Sequence, residues 1–228
     1  MDKSQEDFLR YIKQLPSVED LRKRAIFYTK LYDEADYISS GESYWEENFS
    51  GTNSDRYFWN DGGGQEATIL FKADGENPDS VLMFAYDHES HFNTYTENDA
   101  EDSQIPFHNL PESFAWILKN DGFKWGWDTT FAPEKKIVYA TTAIWHEHEA
   151  TDWNYSADFF NEMAEAHENG QFSYPFKKFF GQEFTLDTLK EEFKEKELDF
   201  DDWATIAKIY KEVFDEPKLM RKITEDSR

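Results

Sequence analysis

The chain has 228 residues, with 48 acidic against 24 basic side chains and a formal net charge of −24. There is no cysteine, which excludes disulfides, Cys-ligated zinc, iron–sulfur clusters and thiol catalysis. The longest apolar run is the six residues Val81–Tyr86, far short of the roughly 20 a membrane-spanning helix needs.

In chain order, Ser4-Gln-Glu-Asp7 reads as a helix start, with Phe8, Leu9, Ile12 and Leu15 at helical spacing and Pro16 as the stop. Ser17 offers a second N-cap. Leu21, Ala25, Tyr28, Tyr32 and Ala35 then mark one face of a long helix. Residues 38–64 lack clean periodicity and read as a loop. Asp61-Gly-Gly-Gly64 reads as a turn needing positive φ. It opens a strand over Glu66–Lys72, and Ser80–Tyr86 reads as its antiparallel partner. Residues 96–105 read as acidic loop, and Leu110–Phe114 opens a short helix through Leu118, with Phe114, Ile117 and Leu118 inward and Gly122 ending it. Thr129–Phe131 and Lys136–Trp145 read as strands, Tyr155–Glu168 as a helix, and 171–182 as an aromatic loop. Thr185 caps a helix carrying Leu186, Leu189 and Phe193, and Trp203 to Phe214 shows the period of a C-terminal helix.

The expected class is α+β: a small, mostly antiparallel central sheet flanked by N-terminal and C-terminal helices. No repeat or linker forces a boundary, so 1–228 reads as a single domain. Its parts are a helical segment 1–37, a sheet-containing core 57–150 and a helical segment 155–222. No signal-peptide core is legible in the first thirty residues, so a cytoplasmic protein is expected.

Charge is unevenly placed. Residues 31–110 hold 18 acids against only Arg56 and Lys72. That segment argues against direct binding of nucleic acid or an anionic membrane, and for either a solubilising surface or a basic protein partner. Aromatics interleave with the same acids. Trp45, Glu46, Glu47, Asp55, Tyr57 and Trp59 are therefore the expected partner contacts.

No catalytic set is recognisable. There is no P-loop, no G-x-S-x-G elbow and no H-E-x-x-H helix, so an enzyme is the less favoured reading. No cofactor is expected, with one alternative. Asp87-His-Glu-Ser-His91 and His146-Glu-His-Glu149 each follow a strand, and His88, Glu89, His91, His146 and His148 supply the nitrogen and oxygen donors a divalent metal takes. A metal-binding protein or metal-dependent hydrolase requires these two strand ends to meet in space. The plainer reading is a polar turn.

Trp59-Asn-Asp-Gly-Gly-Gly64, Ala67-Thr-Ile-Leu-Phe71 and Leu82-Met-Phe-Ala-Tyr-Asp-His-Glu-Ser90 together resemble an uncharacterised bacterial family with a Gly-rich turn, a hydrophobic hairpin and a Phe/Tyr-Asp-His-Glu-Ser end. Leu110–Phe114 and Asp128–Phe131 look similar to its later segments, and the match is best over residues 57–131. The resemblance implies an immunity protein, a toxin inhibitor acting by protein binding, and brings no catalytic residues with it. The expected function is thus an acidic, immunity-type inhibitor of a basic toxin such as a nuclease. A DNA-mimic inhibitor is the further alternative, since carboxylates can stand in for phosphates.

Overall fold

The computed structural model describes residues 3–38, 41–49, 52–72, 80–88, 90, 102–119, 140–163 and 183–214. The chain begins with α1 (Lys3–Ile12) and, after the Pro16 turn, α2 (Val18–Ala35). Ser17 caps α2 by accepting the Asp20 amide at 3.2 Å, which satisfies a donor the helix cannot use internally. Of the expected α2 face, Leu21, Ala25, Tyr28 and Ala35 are buried and Tyr32 is half-buried.

Residues 38–64 depart from the expected loop. They contain β1 (Glu42–Glu46) and β2 (Ser54–Asn60). The reason is burial on both sides. Tyr57, Phe58 and Trp59 alternate between two covered faces, so the strand shows no polar–apolar alternation. β3 (Gln65–Lys72) and β4 (Val81–Asp87) form the expected antiparallel hairpin. β5 (Thr142–His146) covers the end of the expected 136–145 strand; residues 136–139 and the Thr129–Phe131 strand lie outside the described residues. β6 (Asn154–Tyr155) takes the first residue of the expected Tyr155–Glu168 helix into the sheet. The six strands run antiparallel in sequence order, β1 to β6.

The Gly-rich turn behaves as its residues require. Gly62 and Gly64 have φ of +72° and +103°. Asn60 accepts the Gly62 amide at 2.6 Å, and Asp61 accepts those of Gly63 and Gln65 at 2.7 and 2.9 Å.

The remaining helices are α3 (Glu112–Ala115, continued as a 3₁₀ turn to Lys119), α4 (Ala157–Glu162), α5 (Leu186–Glu192) and α6 (Phe200–Phe214). As expected, Phe114 and Ile117 are buried in the α3 segment, whereas Leu118 is half-buried. Ser156 caps α4, and Thr185 with Thr188 forms a capping box on α5. Residues 102–107 form a 3₁₀ helix that overlaps the end of the expected 96–105 acidic loop, whose residues 96–101 lie outside the described residues. Gly122, residues 164–168 and the 171–182 aromatic segment lie outside the described residues.

The sheet has two covered faces. Tyr57, Ile69, Phe71, Met83 and Ile144 join one apolar cluster with the N- and C-terminal helices, which runs from Phe8 to Val213. Phe58, Leu70, Leu82, Phe84 and Trp145 join the other with Phe49, Phe107, Phe114 and Ile117. The molecule is thus α+β, with helices from both ends of the chain on one face. α2 and α6 pack antiparallel: Lys30 meets Glu212 at 3.3 Å and Lys208 meets Glu34 at 2.9 Å. Among the described residues no helix is long and apolar enough to cross a membrane.

Candidate interaction surface

The six expected partner contacts fall on β1 and β2, and most are engaged internally. Tyr57 and Trp59 are buried in the helix-side core, which corrects their expected place on the surface. Ser43 donates to the Tyr57 hydroxyl at 2.9 Å, and burial pushes that phenol well above its usual range. Trp45 lies opposite Tyr57 on the same face and stacks on Phe71 at 5.5 Å, under the Arg22 guanidinium. Asp55 accepts from Arg22 at 2.8 Å, and Glu46 pairs with Arg56 at 3.1 Å. Glu47 alone of the six is an exposed residue, although the Glu46 side chain keeps 43% of its surface. The acid–aromatic interleaving records strands turning alternate residues to opposite faces, and most of the aromatics went inward.

The Arg22–Asp55 pair ties α2 to β2, with the two side chains only 18% and 15% exposed. Asp55→Ala leaves Arg22 without that partner in a largely dry place. A loss of about 2 kcal/mol is expected in urea unfolding. An unchanged midpoint would mean the pair contributes nothing to stability.

Of the candidate metal donors, His88 and His146 do not converge. His146 sits opposite Val81, the first residue of β4, whereas His88 follows Asp87, the last. Six residue steps along β4 separate these ends by about 20 Å, too far for one ion with bonds near 2 Å. His88 closes the Gly-rich turn, its amide donating to the Gly64 carbonyl at 3.1 Å. Asp87 is buried. Its amide donates to Thr141 Oγ1 at 3.1 Å and its carbonyl accepts from Ser90. At the other end, His146 meets Trp153 edge-on and the His148 amide donates to Ser80 at 2.9 Å. β5 ends at His146, so His146 and His148 do not share a strand face. Glu89 and His91 lie outside the described residues. Among the described residues no group of three His, Asp or Glu is placed to hold a metal.

A groove of about 790 Å³ lies between the α1–α2 turn and the β5–β6 turn. Its ionisable lining is Lys13, His146, Glu19, Glu149 and Asp152, so carboxylates outnumber the one lysine.

The outward acids are elsewhere. Asp33 and Asp36 at the end of α2, and Glu42 and Glu47 at the ends of β1, are exposed and make no ion pair among the described residues. α6 brings Asp199, Asp201 and Asp202 to the same end of α2, where the Tyr37 hydroxyl donates to Asp202. That bond raises the Tyr37 pKa and lowers that of Asp202. Phe200, the first residue of α6, is exposed beside them and was not singled out by sequence reasoning. No local signal marks it. Its position depends on α6 packing against α2.

On the far face of the sheet, Glu66 is buried opposite Asn60, whose amide donates to it at 2.7 Å. Burial pushes its carboxyl up to about 7 from 4.5; Arg56 and the Asn60 amide offset this in part, while Asp61 and Glu42 add to it. The folded chain therefore holds this proton more tightly than the unfolded chain. The cost of ionising Glu66 is absent below about pH 4.5, grows towards pH 7 and is complete above it. Glu66→Gln is expected to be more stable than the wild type by about 2 kcal/mol at pH 8 and equal to it at pH 4. A difference independent of pH in paired urea titrations would contradict this.

No family model, curated protein or solved structure matches the chain. The surface and the residues themselves carry the functional argument.

Proposed function

We propose that the protein is an acidic protein-binding module, an immunity-type inhibitor of a basic partner such as a toxin nuclease. The supporting observation is the set of exposed carboxylates Asp33, Asp36, Glu42 and Glu47, which no ion pair among the described residues neutralises. Asp55 is paired with Arg22, and Glu46 with Arg56; these four carboxylates lie outside that arrangement. Complementary fields of this kind speed encounter and select partners of opposite charge.

The test begins with capture by the full-length protein from its own host's lysate, followed by a salt step and purification of what elutes. The expected partner is basic. Its association rate falls at least roughly tenfold between about 50 and 500 mM salt, and its activity is blocked at equimolar inhibitor. A partner whose association rate ignores salt, or whose activity is untouched, rejects the reading. If the partner is a nuclease, displacement of its DNA by this protein would favour the DNA-mimic form of inhibition.

A further inference from the structure

The groove between the α1–α2 turn and the β5–β6 turn combines size, an apolar wall and uncompensated charge. Its volume of about 790 Å³ lies within the roughly 300–1,000 Å³ of clefts that take ligands. Leu9 and Ile12 line it from α1, and Trp153 from just before β6. Trp153 is half-buried, and its ring meets that of His146 edge-on at 5.5 Å. Three carboxylates share the lining. Glu19 has Lys23 at 2.8 Å. Glu149 meets only the His148 ring, at 3.9 Å, and Asp152 makes no ion pair among the described residues. Lys13, the one lysine of the lining, pairs with none of the three.

The turn that carries Glu149 and Asp152 is tied down. The Ala150 amide donates to the Glu147 carbonyl at 3.0 Å, and the His148 amide to Ser80 Oγ at 2.9 Å. A ligand therefore meets carboxylates whose backbone is already positioned, with less freedom to remove on binding. An indole and two carboxylates beside an aliphatic wall suit a cation on an apolar stem. A guanidinium can stack on the ring and pair with a carboxylate, while its methylenes cover Leu9 and Ile12. A wholly apolar ligand would strip water from the carboxylates without replacing it. A second copy of the chain, at net −24, meets Coulomb repulsion. Lys13, Glu19 and Asp152 are exposed at the rims, so the groove is open to a chain segment.

We propose that this groove docks a basic segment of the partner, with an arginine side chain against Trp153, Glu149 and Asp152 and an apolar neighbour on Leu9 and Ile12. This rests on the proposed binding function and adds the place of contact and the chemistry of what it takes. Asp36 lies at the other end of α2, about 27 Å along the helix, and is the control for charge alone.

The test uses the full-length protein as bait for a display library of random dodecapeptides in about 150 mM salt, near physiological screening. The expected enrichment is for peptides with Arg beside Leu or another apolar residue. Synthetic copies of the enriched peptides are then titrated against the wild type, Glu149→Asn, Thr151→Arg and Asp36→Asn. Glu149 has φ of +62°, which Asn tolerates well, so Glu149→Asn removes the charge without straining the turn. Thr151 is exposed and lines the groove, so Thr151→Arg places a competing cation there. Both variants should keep the wild-type thermal midpoint. Each is expected to lose roughly tenfold or more in affinity, and Asp36→Asn no more than about twofold. Enriched peptides that bind Glu149→Asn and Thr151→Arg as tightly as the wild type would overturn the groove, as would no enrichment or enrichment of peptides without basic residues. The captured partner's salt-dependent association would then still decide the binding function. Enriched peptides that require the groove, with no basic protein captured, would overturn the inhibitor reading and support the groove as a site for basic segments.

Discussion

Gly41→Ala is expected to destabilise the protein by about 3 kcal/mol or more, measured as a urea midpoint shift. Gly41 has φ of +75°, a region that costs an L-residue roughly 1 kcal/mol. The larger cost is steric. A methyl group there would overlap the Asn60 carbonyl oxygen and crowd the Asp61 backbone, and neither can rotate away as a side chain can. The position is also where the sheet edge is set, because β1–β2 pairing begins at Glu42 opposite Asn60. Gly62→Ala is the internal control. Gly62 has φ of +72° with open space where its Cβ would lie, so only the conformational cost of about 1 kcal/mol is expected. Equal midpoints for the two variants would show that the close approach of Gly41 to Asn60 does not hold in solution.

Phe71→Ala is expected to cost about 3–5 kcal/mol, a large share of the 5–15 kcal/mol that holds a typical domain folded. Phe71 is fully buried on the helix side of β3, opposite Val81 on β4 and Asp55 on β2. Its ring supports two neighbours. Trp45 stacks on it at 5.5 Å, and the Arg22 guanidinium lies 4.6 Å from its centroid. Truncation therefore removes the floor under β1 as well as leaving a cavity. Phe71→Leu keeps most of the volume and loses the stacking surface, so a cost near 1.5 kcal/mol is expected. If Phe71→Ala cost no more than Phe71→Leu, the stacked arrangement would not contribute to the core.

These two sites lie in and beside the segment that was hardest to interpret from sequence. Helices α1, α2, α5 and α6 were legible because each buries apolar residues at a 3.6-residue period, with capping residues at the starts of α2 and α5. The β3–β4 hairpin was legible from two apolar runs. β1 and β2 were not, because their residues alternate between a helix-side core and a second core. The resulting sequence of acids, aromatics and arginine resembles a loop. The expected contact residues were misplaced for the same reason. Tyr57 and Trp59 point into the core, and Asp55 and Glu46 turn towards cations contributed by α2 and by β2 itself.

The sequence by itself determined the α+β class, the helix starts at Ser17 and Thr185, the positive-φ turn at Asp61–Gly64 and the excess of acid between residues 31 and 110. Those features depend on neighbours within a few positions, where backbone hydrogen bonding and periodicity act directly. Tertiary structure alone decided which acids face outward, that His88 and His146 lie at opposite ends of β4, and that Tyr37 meets the first turn of α6. Each of these depends on which strand or helix lies beside another. That is settled by burying a shared apolar surface, a quantity no local stretch of residues contains.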